Sequence, residues 1–568
     1  MIKDLLTPEK IEFIKTNPFF AKKLKAYQDV IEENQDKPLP DVPYSYYKLF
    51  KTTGDRQMYE APYFLRRKLL NAYTLNYILY EKESDLEVIQ DIIWEICGEF
   101  TWALPAHIEP LPIENQAEIA NYIDLFSAET GASLAEIYDI LKDKFEPRIN
   151  ERILYELNKR IINSFMTTRF LFEDGGNNWT GVCCGSVGMV ILYICPEKYP
   201  LFRDRLKSPL ARYIDTFGEN GICEEGLTYW NYGFSNYVYF ADMLKEYTKG
   251  KEDILHLPKV EKVASFESRA YLKNNYCISF SDGCQSRNFN PGLTHFLVNN
   301  FKTAKSIPVE FVSHKPTNFF KDAIRSLVWV DPALIESGDS VNSIISEEYD
   351  SKLCWYIKKM PKYAFVAKGG CNEESHNHND LGSFFIVTEN GQQLLDYGAG
   401  MYNKNYFRIP ARYEENLVCC SRGHNIPVIN GVVQQHGGRF KATSTQHSDG
   451  KFFVNLDNAY PECGMKTFVR EYTVTDNGVT FVDKMTFDGN SNTVDEHFIS
   501  SAEPIIEGNK ATFGEAVMTL PENCEVTYVK EPVKGHDYNY GHYDYIYVTS
   551  VKFSCSDRFE EKFVIEIN

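Results

Sequence analysis

The residue types best able to do chemistry lie in one short stretch, which reads S-H-N-H-N-D-L-G-S-F-F-I from Ser375 to Ile386. His376, His378 and Asp380 occupy alternate positions, and each can bind a metal ion or transfer a proton. The apolar run that follows ends at the turn signal Asn390-Gly391, so we predict a β-hairpin. Because side chains alternate between the faces of a strand, the spacing predicts that the two histidines and the aspartate share one face.

The returning strand of this hairpin is predicted from Gln393 to Tyr397 and carries Asp396. His424, in the stretch C-S-R-G-H-N, precedes a further apolar run. Two histidines and one carboxylate with an open position are a known type of zinc set, and His378, Asp396 and His424 could supply it. The alternative interpretation is that the histidine stretch is only the polar face of a strand.

A glycine-rich stretch, G-G-N-N-W-T-G-V from Gly175 to Val182, lies between two helical patterns. A loop of this kind exposes backbone N–H groups and can aim the amide of Asn178. Neutral amide donors can bind a carboxylate and stabilise the extra charge of an enolate-like anion. The alternative is a helix capped by asparagine, with Trp179 in the core.

A tyrosine-rich stretch, C-E-E-G-L-T-Y-W-N-Y-G from Cys223 to Gly233, contains Tyr229 and Tyr232. Their spacing of three places them on one face if the segment is helical. A tyrosine can donate a proton to a leaving oxygen, or accept one where nearby positive charge lowers its pKa. The alternative is aromatic packing in a helical core.

The elements that must position these residues fall into two groups. Up to about residue 330, apolar residues recur at three- and four-residue spacing and no strand runs occur, which predicts stacked helical hairpins around a groove. Helices are predicted for Ala61 to Tyr80, Leu86 to Phe100, Leu134 to Met166 and Gly185 to Cys195.

After Ser337-Gly338-Asp339-Ser340 the pattern changes to short alternating runs separated by turn signals, which predicts an antiparallel β domain of stacked sheets. We therefore predict an α+β multidomain protein, with helices first and strands second. The predicted strands are Ala364 to Ala367, Ser383 to Val387, Gln393 to Tyr397, Phe452 to Leu456, Thr467 to Val474, Thr480 to Phe487, Val526 to Val529, Tyr545 to Phe553 and Lys562 to Ile567.

The composition excludes some classes of function. The chain of 568 residues is long enough for two large domains, and its formal net charge of -19 argues against nucleic acid because phosphate binding needs a basic surface. Aromatic residues make up 14% of the chain, and their faces suit sugar rings, although a large helical core uses them as well.

Targeting signals and cysteine spacing indicate a compartment. The first residues contain no apolar signal core and no stretch has the length of a membrane span, so we expect a cytoplasmic protein without a membrane partner, or a periplasmic or secreted one if a leader has been removed. The 14 cysteines follow no zinc-ribbon or disulfide spacing, which favours free thiols.

The chain contains six motifs in this order: F-T-W-A-L-P-A-H (Phe100 to His107), N-N-W (Asn177 to Trp179), E-E-G-L-T-Y-W-N-Y-G (Glu224 to Gly233), S-H-N-H-N-D-L-G-S-F, L-L-D-Y-G-A-G-M-Y and S-R-G-H-N. Together they resemble the heparinase II/III-like polysaccharide lyases, a superfamily that includes heparin, heparan sulfate, chondroitin and alginate lyases. The resemblance covers most of the chain and is most specific in the β domain.

The resemblance implies an N-terminal (α/α) toroid, an incomplete barrel of helical hairpins over residues 1–335, and a C-terminal antiparallel β-sandwich over residues 336–568. It implies β-elimination at a uronic acid: a neutralising group binds the C5 carboxylate, a base removes the C5 proton, an acid protonates the departing oxygen at C4, and the product is a C4–C5 unsaturated uronic acid. It also implies one structural zinc ion and no organic cofactor.

The resemblance also assigns roles residue by residue. Asn178 matches the carboxylate-neutralising asparagine, Tyr232 the catalytic tyrosine and His376 the catalytic or neutralising histidine. The metal ligands are matched by His378, Asp396 and His424. The substrate-binding residues it implies are Trp102, His107, Trp179, Tyr229 and Arg412.

One departure bears on the mechanism. Some relatives carry a histidine next to the asparagine or a few residues before the tyrosine, whereas this chain has Trp179 and Glu224-Glu225 there. This favours Tyr232 with His376. Tyrosine as both base and acid suits syn elimination, and histidine as base with tyrosine as acid suits anti elimination; both stay open.

The expected substrate is an acidic oligosaccharide or polysaccharide, with a glycosaminoglycan such as heparan sulfate, chondroitin or hyaluronan first and alginate second. A homodimer is left open. Two alternatives of other classes are a catalytically silent glycan-binding relative and a zinc hydrolase, although no HExxH motif supports the latter. Arginines that could bind sulfate are Arg169, Arg408, Arg412, Arg422 and Arg439.

Overall fold

The fold is taken from a computed structural model, which describes residues 1–113, 115–338, 340–536 and 543–568. The chain divides into two compact units, and neither is continuous in sequence. The first unit comprises Met1–Thr216, Asn231–Ala264 and Phe289–Gly338. The second unit comprises Phe217–Trp230, Ser265–Asn288 and Asp339–Asn568.

The α-helices of the described residues lie in both units. They are α1 (Ile2–Leu5), α2 (Pro8–Thr16), α3 (Pro18–Glu32), α4 (Tyr44–Tyr47), α5 (Leu49–Thr53), α6 (Gln57–Tyr80), α7 (Glu83–Gly98), α8 (Pro105–Ile108), α9 (Gln116–Ala120), α10 (Leu125–Leu141), α11 (Pro147–Leu157), α12 (Asn163–Thr167), α13 (Asn178–Ile194), α14 (Tyr199–Thr216), α15 (Leu227–Tyr229), α16 (Ser235–Tyr247), α17 (Pro258–Ala264), α18 (Phe266–Ala270), α19 (Pro291–Asn300), α20 (Phe320–Val328) and α21 (Ala411–Glu415).

The β-strands all belong to the second unit. They are β1 (Tyr271–Lys273), β2 (Tyr276–Cys277), β3 (Ser346–Asp350), β4 (Trp355–Lys359), β5 (Ala364–Lys368), β6 (Gly370–Cys371), β7 (Phe384–Thr388), β8 (Gly391–Leu394), β9 (Pro427–Ile429), β10 (Lys441–Ser448), β11 (Lys451–Asn458), β12 (Met465–Thr475), β13 (Gly478–Phe487), β14 (Asn492–Ser500), β15 (Ile505–Glu507), β16 (Lys510–Phe513), β17 (Ala516–Thr519), β18 (Glu525–Pro532), β19 (Tyr545–Cys555) and β20 (Arg558–Ile567).

The strands of the second unit pair antiparallel throughout the described ladders, in the orders β15-β16-β17-β20-β13-β12-β11-β10-β6, β18-β19-β14-β9, β3-β4-β5-β7-β8 and β1-β2. Buried and less buried residues alternate along β13, as expected for a sheet with one face in a core. One hydrophobic cluster contains side chains from the three larger sheets, among them Phe384, Phe481 and Phe498. The sheets therefore share a core, as in a sandwich.

Closely packed helices form the centre of the first unit. α13 contacts α10, α14 and α16, and α10 contacts α20. Glycines at 181, 185 and 188 lie on the side of α13 that meets the 233–240 segment, since an added Cβ at each would meet Gly233, Asn236 or Phe240. The small residues let the two backbones approach closely.

The α+β multidomain prediction is confirmed, and the helices over residues 61–80, 86–98 and 185–194 are as predicted. Three local predictions are wrong. The predicted helix from 134 to 166 is interrupted because Pro147 begins a separate helix; two short strands, β1 and β2, occur before residue 336; and the strand predicted at 393–397 ends at Leu394. The toroid stays a prediction.

The predicted domain boundary between residues 335 and 336 lies close to the last change between units, at Gly338. The segments 217–230 and 265–288, which the sequence placed in the helical domain, belong to the second unit instead. All fourteen cysteines are free thiols. Of the helices that the structure describes, none combines the length and the apolar character that a membrane crossing needs.

A substitution at Gly185 tests the close helix packing. A Cβ there would lie 2.5 Å from the Asn236 carbonyl oxygen, and backbone atoms cannot move aside cheaply. We expect Gly185→Ala to lower the free energy of unfolding by about 1–3 kcal/mol in urea denaturation.

Gly98→Ala is the matched control, because Gly98 ends α7 and an added Cβ would meet nothing within 4 Å. We expect that variant to be neutral or stabilised by about 0.5 kcal/mol. Equal losses in the two variants would contradict the packing assigned to α13.

Candidate functional site

The histidine stretch of the second unit is an irregular loop. Residues 374–383 form turns, and His376 has a φ of 59°, in the left-handed region that costs a non-glycine residue about 1–3 kcal/mol. Strand β7 begins only at Phe384. The predicted shared strand face is therefore wrong: His376, His378 and Asp380 do not follow the alternation of a strand.

Asp282 brings the polar groups of this loop together. Its carboxylate is fully buried, and Oδ1 accepts hydrogen bonds from Tyr406 Oη and, at 2.9 Å, from Arg412 Nη2. His378 Nε2 lies 3.0 Å from Oδ1, and His376 Nδ1 lies 2.7 Å from Oδ2. Burial opposes the charged form, but Arg412 and the two histidines outweigh it and hold the pKa of Asp282 well below its ordinary value.

His376 is held in one orientation by its neighbours. Its ring stacks on Tyr229 with centroids 4.0 Å apart and meets the edge of Phe407 at 5.5 Å. Nε2 lies 3.5 Å from Glu225 Oε2, and the Tyr229 hydroxyl bonds the hydroxyl of Tyr402. Asp282 accepts the hydrogen bond from Nδ1, so Nε2 is the ring nitrogen that remains for other contacts. The His376 side chain is 14% exposed.

A second buried group of this unit has the donor types of a metal site. One ligand atom from each of Asp380, Asp396 and His424 lies within 4.8 Å of the others. His424 Nε2 donates to the Val418 carbonyl at 3.0 Å, so Nδ1, which lies 3.2 Å from Asp396 Oδ2, is the nitrogen that a metal ion would use. Two carboxylates and a histidine nitrogen suit a small divalent ion such as Zn²⁺.

Buried polar atoms without a hydrogen-bond partner support a metal ion at this position. The buried atoms without a hydrogen-bond partner among the described residues include His378 Nδ1, Asp380 Oδ2, Asp396 Oδ2 and His424 Nδ1. Each of the three predicted ligands thus has one such atom, and the rings of His378 and His424 are 5.2 Å apart. By the spacing of ligand atoms, however, His378 groups with Asp282 and Cys419, whereas Asp396 and His424 group with Asp380. The zinc set stays a prediction, to which the structure adds Asp380.

In the first unit, Tyr232 lies in the π-helical turn Trp230–Phe234 and is partly exposed. Its hydroxyl donates to Glu129 Oε2 at 2.7 Å, and Lys321 Nζ donates to Glu129 Oε1 at 2.8 Å. Burial and the Glu129 carboxylate raise the pKa of Tyr232 well above its ordinary value. Burial also raises the pKa of Glu129 to about 7, against the effect of Lys321. Tyr232 is therefore a neutral phenol.

Asn178 is the first residue of α13 and is buried. Asn177 caps the helix, its Oδ1 accepting from Trp179 N at 3.2 Å. The residue after Tyr232 packs directly on this helix start: a Cβ on Gly233 would lie 3.1 Å from Asn178 Cα. Glycine at 233 thus brings the tyrosine turn against the predicted carboxylate-binding asparagine.

His107 lies near the same helix start. Its Nδ1 lies 2.7 Å from the buried carboxylate of Asp124, and its ring lies 4.8 Å from that of Trp179 and stacks on Phe126 at 5.4 Å. Asp124 also accepts from Ser127 N at the start of α10. His107 and Trp179, both predicted to bind substrate, are thus in contact, and 13% of the His107 side chain is exposed.

Comparisons with known proteins show which fold the chain has. No protein-family model matches the chain, and no curated protein does. Solved structures do match. A heparinase III structure is 12% identical, with a TM-score of 0.60 over 96% of this chain and 83% of its own.

Two other lyases align over almost the whole chain. A mutant heparan sulfate lyase from Pedobacter heparinus is 13% identical, with a TM-score of 0.59 over 99% of this chain and 91% of its own. A Streptomyces coelicolor chondroitin AC lyase in complex with chondroitin sulphate is 10% identical, with a TM-score of 0.56 over 100% of this chain and 82% of its own. The chain has the fold of heparinase- and chondroitinase-like polysaccharide lyases.

Two predicted substrate-binding residues of this lyase fold have structural roles instead. Trp102 is fully buried, donates from Nε1 to the Ile96 carbonyl at 2.8 Å and lies under the Arg160 guanidinium, so its polar group and one ring face are already occupied. Arg412 is 3% exposed. Its guanidinium is committed to Asp282 and to the carbonyls of His376 and Asn377, since the buried carboxylate requires a cation.

Sequence reasoning missed Asp282 and Glu129, which contact predicted site residues, and Lys321, which pairs with Glu129. Asp282 precedes a glycine and resembles an ordinary turn residue. Glu129 did leave a signal, because it is the one charged residue in the run L-F-S-A-E-T-G-A-S-L-A from 125 to 135. A charge in such a run must find a buried partner.

Asp282→Asn tests the role assigned to this carboxylate. Removing one partner of a buried ion pair leaves Arg412 uncompensated, and we expect the free energy of unfolding to fall by about 3–5 kcal/mol. The double variant Asp282→Asn/Arg412→Met removes both charges and should lose less than the sum of the two single variants in urea denaturation. Additive losses would show that the pair is not coupled.

Proposed function

We propose that this protein is a lyase that cleaves uronic-acid-containing glycans by β-elimination and leaves a C4–C5 unsaturated uronic acid. The observation that carries the proposal is the contact between the Tyr232 turn and Asn178, because a proton-transferring phenol and a neutral amide are the groups that elimination beside a carboxylate requires. The lyase fold, which extends over nearly the whole chain, supports it.

Asn178 is proposed to bind the C5 carboxylate and to stabilise the enolate-like charge that develops as the C5 proton leaves. Its position at the start of α13 suits that role, since the N-terminal turn of a helix favours negative charge. Tyr232 is proposed to transfer protons, and its neutral state equips it to protonate the departing O4. His376, held by Asp282 and Tyr229, is proposed as the base or as a second neutralising group.

A divalent ion, most simply Zn²⁺, is proposed to be held by His378, Asp396 and His424, with Asp380 as a further donor. When bound, the ion would supply structural charge compensation for Asp396, and for Asp380 in addition to the Lys368 ammonium that lies 2.8 Å from Asp380 Oδ1. These ligands lie directly before β7, after β8 and before β9, so they tie together the loop that carries His376.

The proposed substrate is an acidic glycan, with a glycosaminoglycan as first candidate because the similar structures carry the names of heparan sulfate and chondroitin lyases. Alginate is the second candidate because it is an unsulfated polyuronate and so needs fewer free arginines than a sulfated glycan does. Arg412 is committed to Asp282, and Arg169 pairs with Asp174, so two of the five arginines considered for sulfate already have anionic partners.

A product assay with a tyrosine variant tests the activity. We expect ultraviolet absorbance from the new double bond with at least one of heparan sulfate, chondroitin sulfate, hyaluronan and alginate. Tyr232→Phe should lower kcat by about 10²–10⁴-fold, the usual contribution of acid–base catalysis, with little change in substrate binding.

Tyr237→Phe is the control for that variant, because its hydroxyl donates to the Ile254 carbonyl at 2.6 Å and has no proposed role in chemistry. Reducing ends that appear without absorbance on every acidic glycan would exclude elimination. Normal turnover by Tyr232→Phe would show that the tyrosine is wrongly assigned.

Metal content tests the proposed ligands separately. We expect elemental analysis to find a divalent ion in the native protein and none in Asp396→Asn or His424→Ala. A chelator should lower the Tm of the native protein only, because these variants have no ion to lose. His497→Ala, which removes a buried histidine paired with Asp495, should keep its metal. Metal retained by His424→Ala would contradict the set.

A further inference from the structure

Glu129 and Lys321 form a buried ion pair directly beside Tyr232. Glu129 is 1% exposed and Lys321 is 0% exposed, whereas Tyr232 keeps part of its surface open. The carboxylate accepts the phenolic proton of Tyr232 at one oxygen and the Lys321 ammonium at the other. A glycan at Tyr232 would therefore act on this carboxylate through the phenol and not by direct contact.

This arrangement restricts how Tyr232 can act as a base. A base needs a free lone pair, and a tyrosine usually gains one by losing its proton to become a tyrosinate. Burial and the adjacent Glu129 carboxylate both oppose that charge and raise the pKa of Tyr232. Within the part of the chain that the structure describes, no cation contacts the Tyr232 hydroxyl, and Lys321 contacts the other oxygen of Glu129.

We propose that Glu129 takes the phenolic proton of Tyr232 while Tyr232 takes the C5 proton of the uronic acid, so that Tyr232 acts as a base without becoming a free tyrosinate. The inference rests on the proposed lyase function and deepens it. Glu129 is then a positioning residue that acts through Tyr232.

The proton balance closes within one turnover. The C5–H bond breaks, its proton forms a new O–H bond on Tyr232, and the original phenolic proton moves to Glu129 Oε2. The electron pair of the C5–H bond becomes the second bond between C4 and C5 as the C4–O4 bond breaks. O4 then takes the proton from Tyr232, which recovers its own from Glu129, and both side chains return to their initial state.

Lys321 helps to keep Glu129 ionised, so that the carboxylate can accept a proton. The groups that face Glu129 are Lys321 and Asp322 from α20, Tyr232 from its π-helical turn, and, at longer range, Cys183 from α13. Lys321 favours the ionised carboxylate, and burial favours the protonated one. The balance places the pKa of Glu129 at about 7, where it can take and return a proton at neutral pH.

The same two helices provide a matched control. Glu136, also on α10 and fully buried, pairs with Arg325 of α20 and accepts the hydroxyl of Tyr193 at 2.6 Å. Glu129 and Glu136 thus both link α10 to α20 and both accept a tyrosine hydroxyl. Only Glu129 contacts the tyrosine assigned to the reaction.

The experiment compares Glu129→Gln and Glu136→Gln in the unsaturated-product assay across pH, with Tm recorded for both. We expect Glu129→Gln to lower kcat by about 10²-fold or more and to remove the acid limb of kcat, which in the native enzyme falls as pH drops through about 7 because Glu129 becomes protonated. Glu129→Asp should recover part of kcat. Glu136→Gln should have a lower Tm but should keep the native fall of kcat at acidic pH.

The outcomes separate the inference from the proposed function. An unchanged kcat and acid limb in Glu129→Gln, with Tyr232→Phe inactive, would overturn the proton transfer and leave the lyase function standing. An active Tyr232→Phe, or products without a double bond, would overturn the function itself. If Glu129→Gln does not fold, Glu129→Asp decides: a lowered kcat with a shifted acid limb at near-native Tm supports the inference, and a native profile overturns it.

Discussion

The second unit depends on one constraint, that the carboxylate of Asp282 is ionised and fully buried. An ion in that position costs several kcal/mol unless partners surround it, and Arg412, Tyr406, His376 and His378 are those partners. Each is fixed in return. Arg412 goes on to hold the carbonyl of His376, and the histidine keeps its unfavourable backbone conformation because its ring is held at Asp282. Of the predicted metal ligands, His378 lies in this same loop, two residues after His376.

The first unit also contains a buried carboxylate that needs partners, and here helices supply them. Glu129 lies in an apolar helix and is compensated by Lys321 from α20, and the remaining acceptor capacity goes to Tyr232. The glycines along α13 then decide where that tyrosine lies, because only a residue without a Cβ allows the turn after Tyr232 to touch the start of α13. Packing thus brings the turn that carries the phenol of Tyr232 against the helix start that carries the amide of Asn178.

Much of the fold and of the candidate site could be predicted from the sequence where the hydrophobic period agrees with the residue types. The alternation in β11 to β13 and the hairpin β7–β8 were readable, and so were Asn178, Tyr232 and His376 as residues of chemical interest. The conformation of His376 was not, because tertiary contacts to Asp282 override the strand-like spacing of its stretch. Trp102 was misread because an aromatic residue in a motif looks the same whether it faces a groove or the core.

The central claim is that the chain breaks its substrate by elimination. Mass spectrometry of the complete digest of a defined acidic oligosaccharide tests this most directly, because elimination adds nothing to the substrate whereas hydrolysis adds water. The account predicts fragments whose masses sum to that of the intact substrate, one of them carrying the unsaturated uronic acid. Fragments whose masses exceed that sum by one water for each bond cleaved would contradict it.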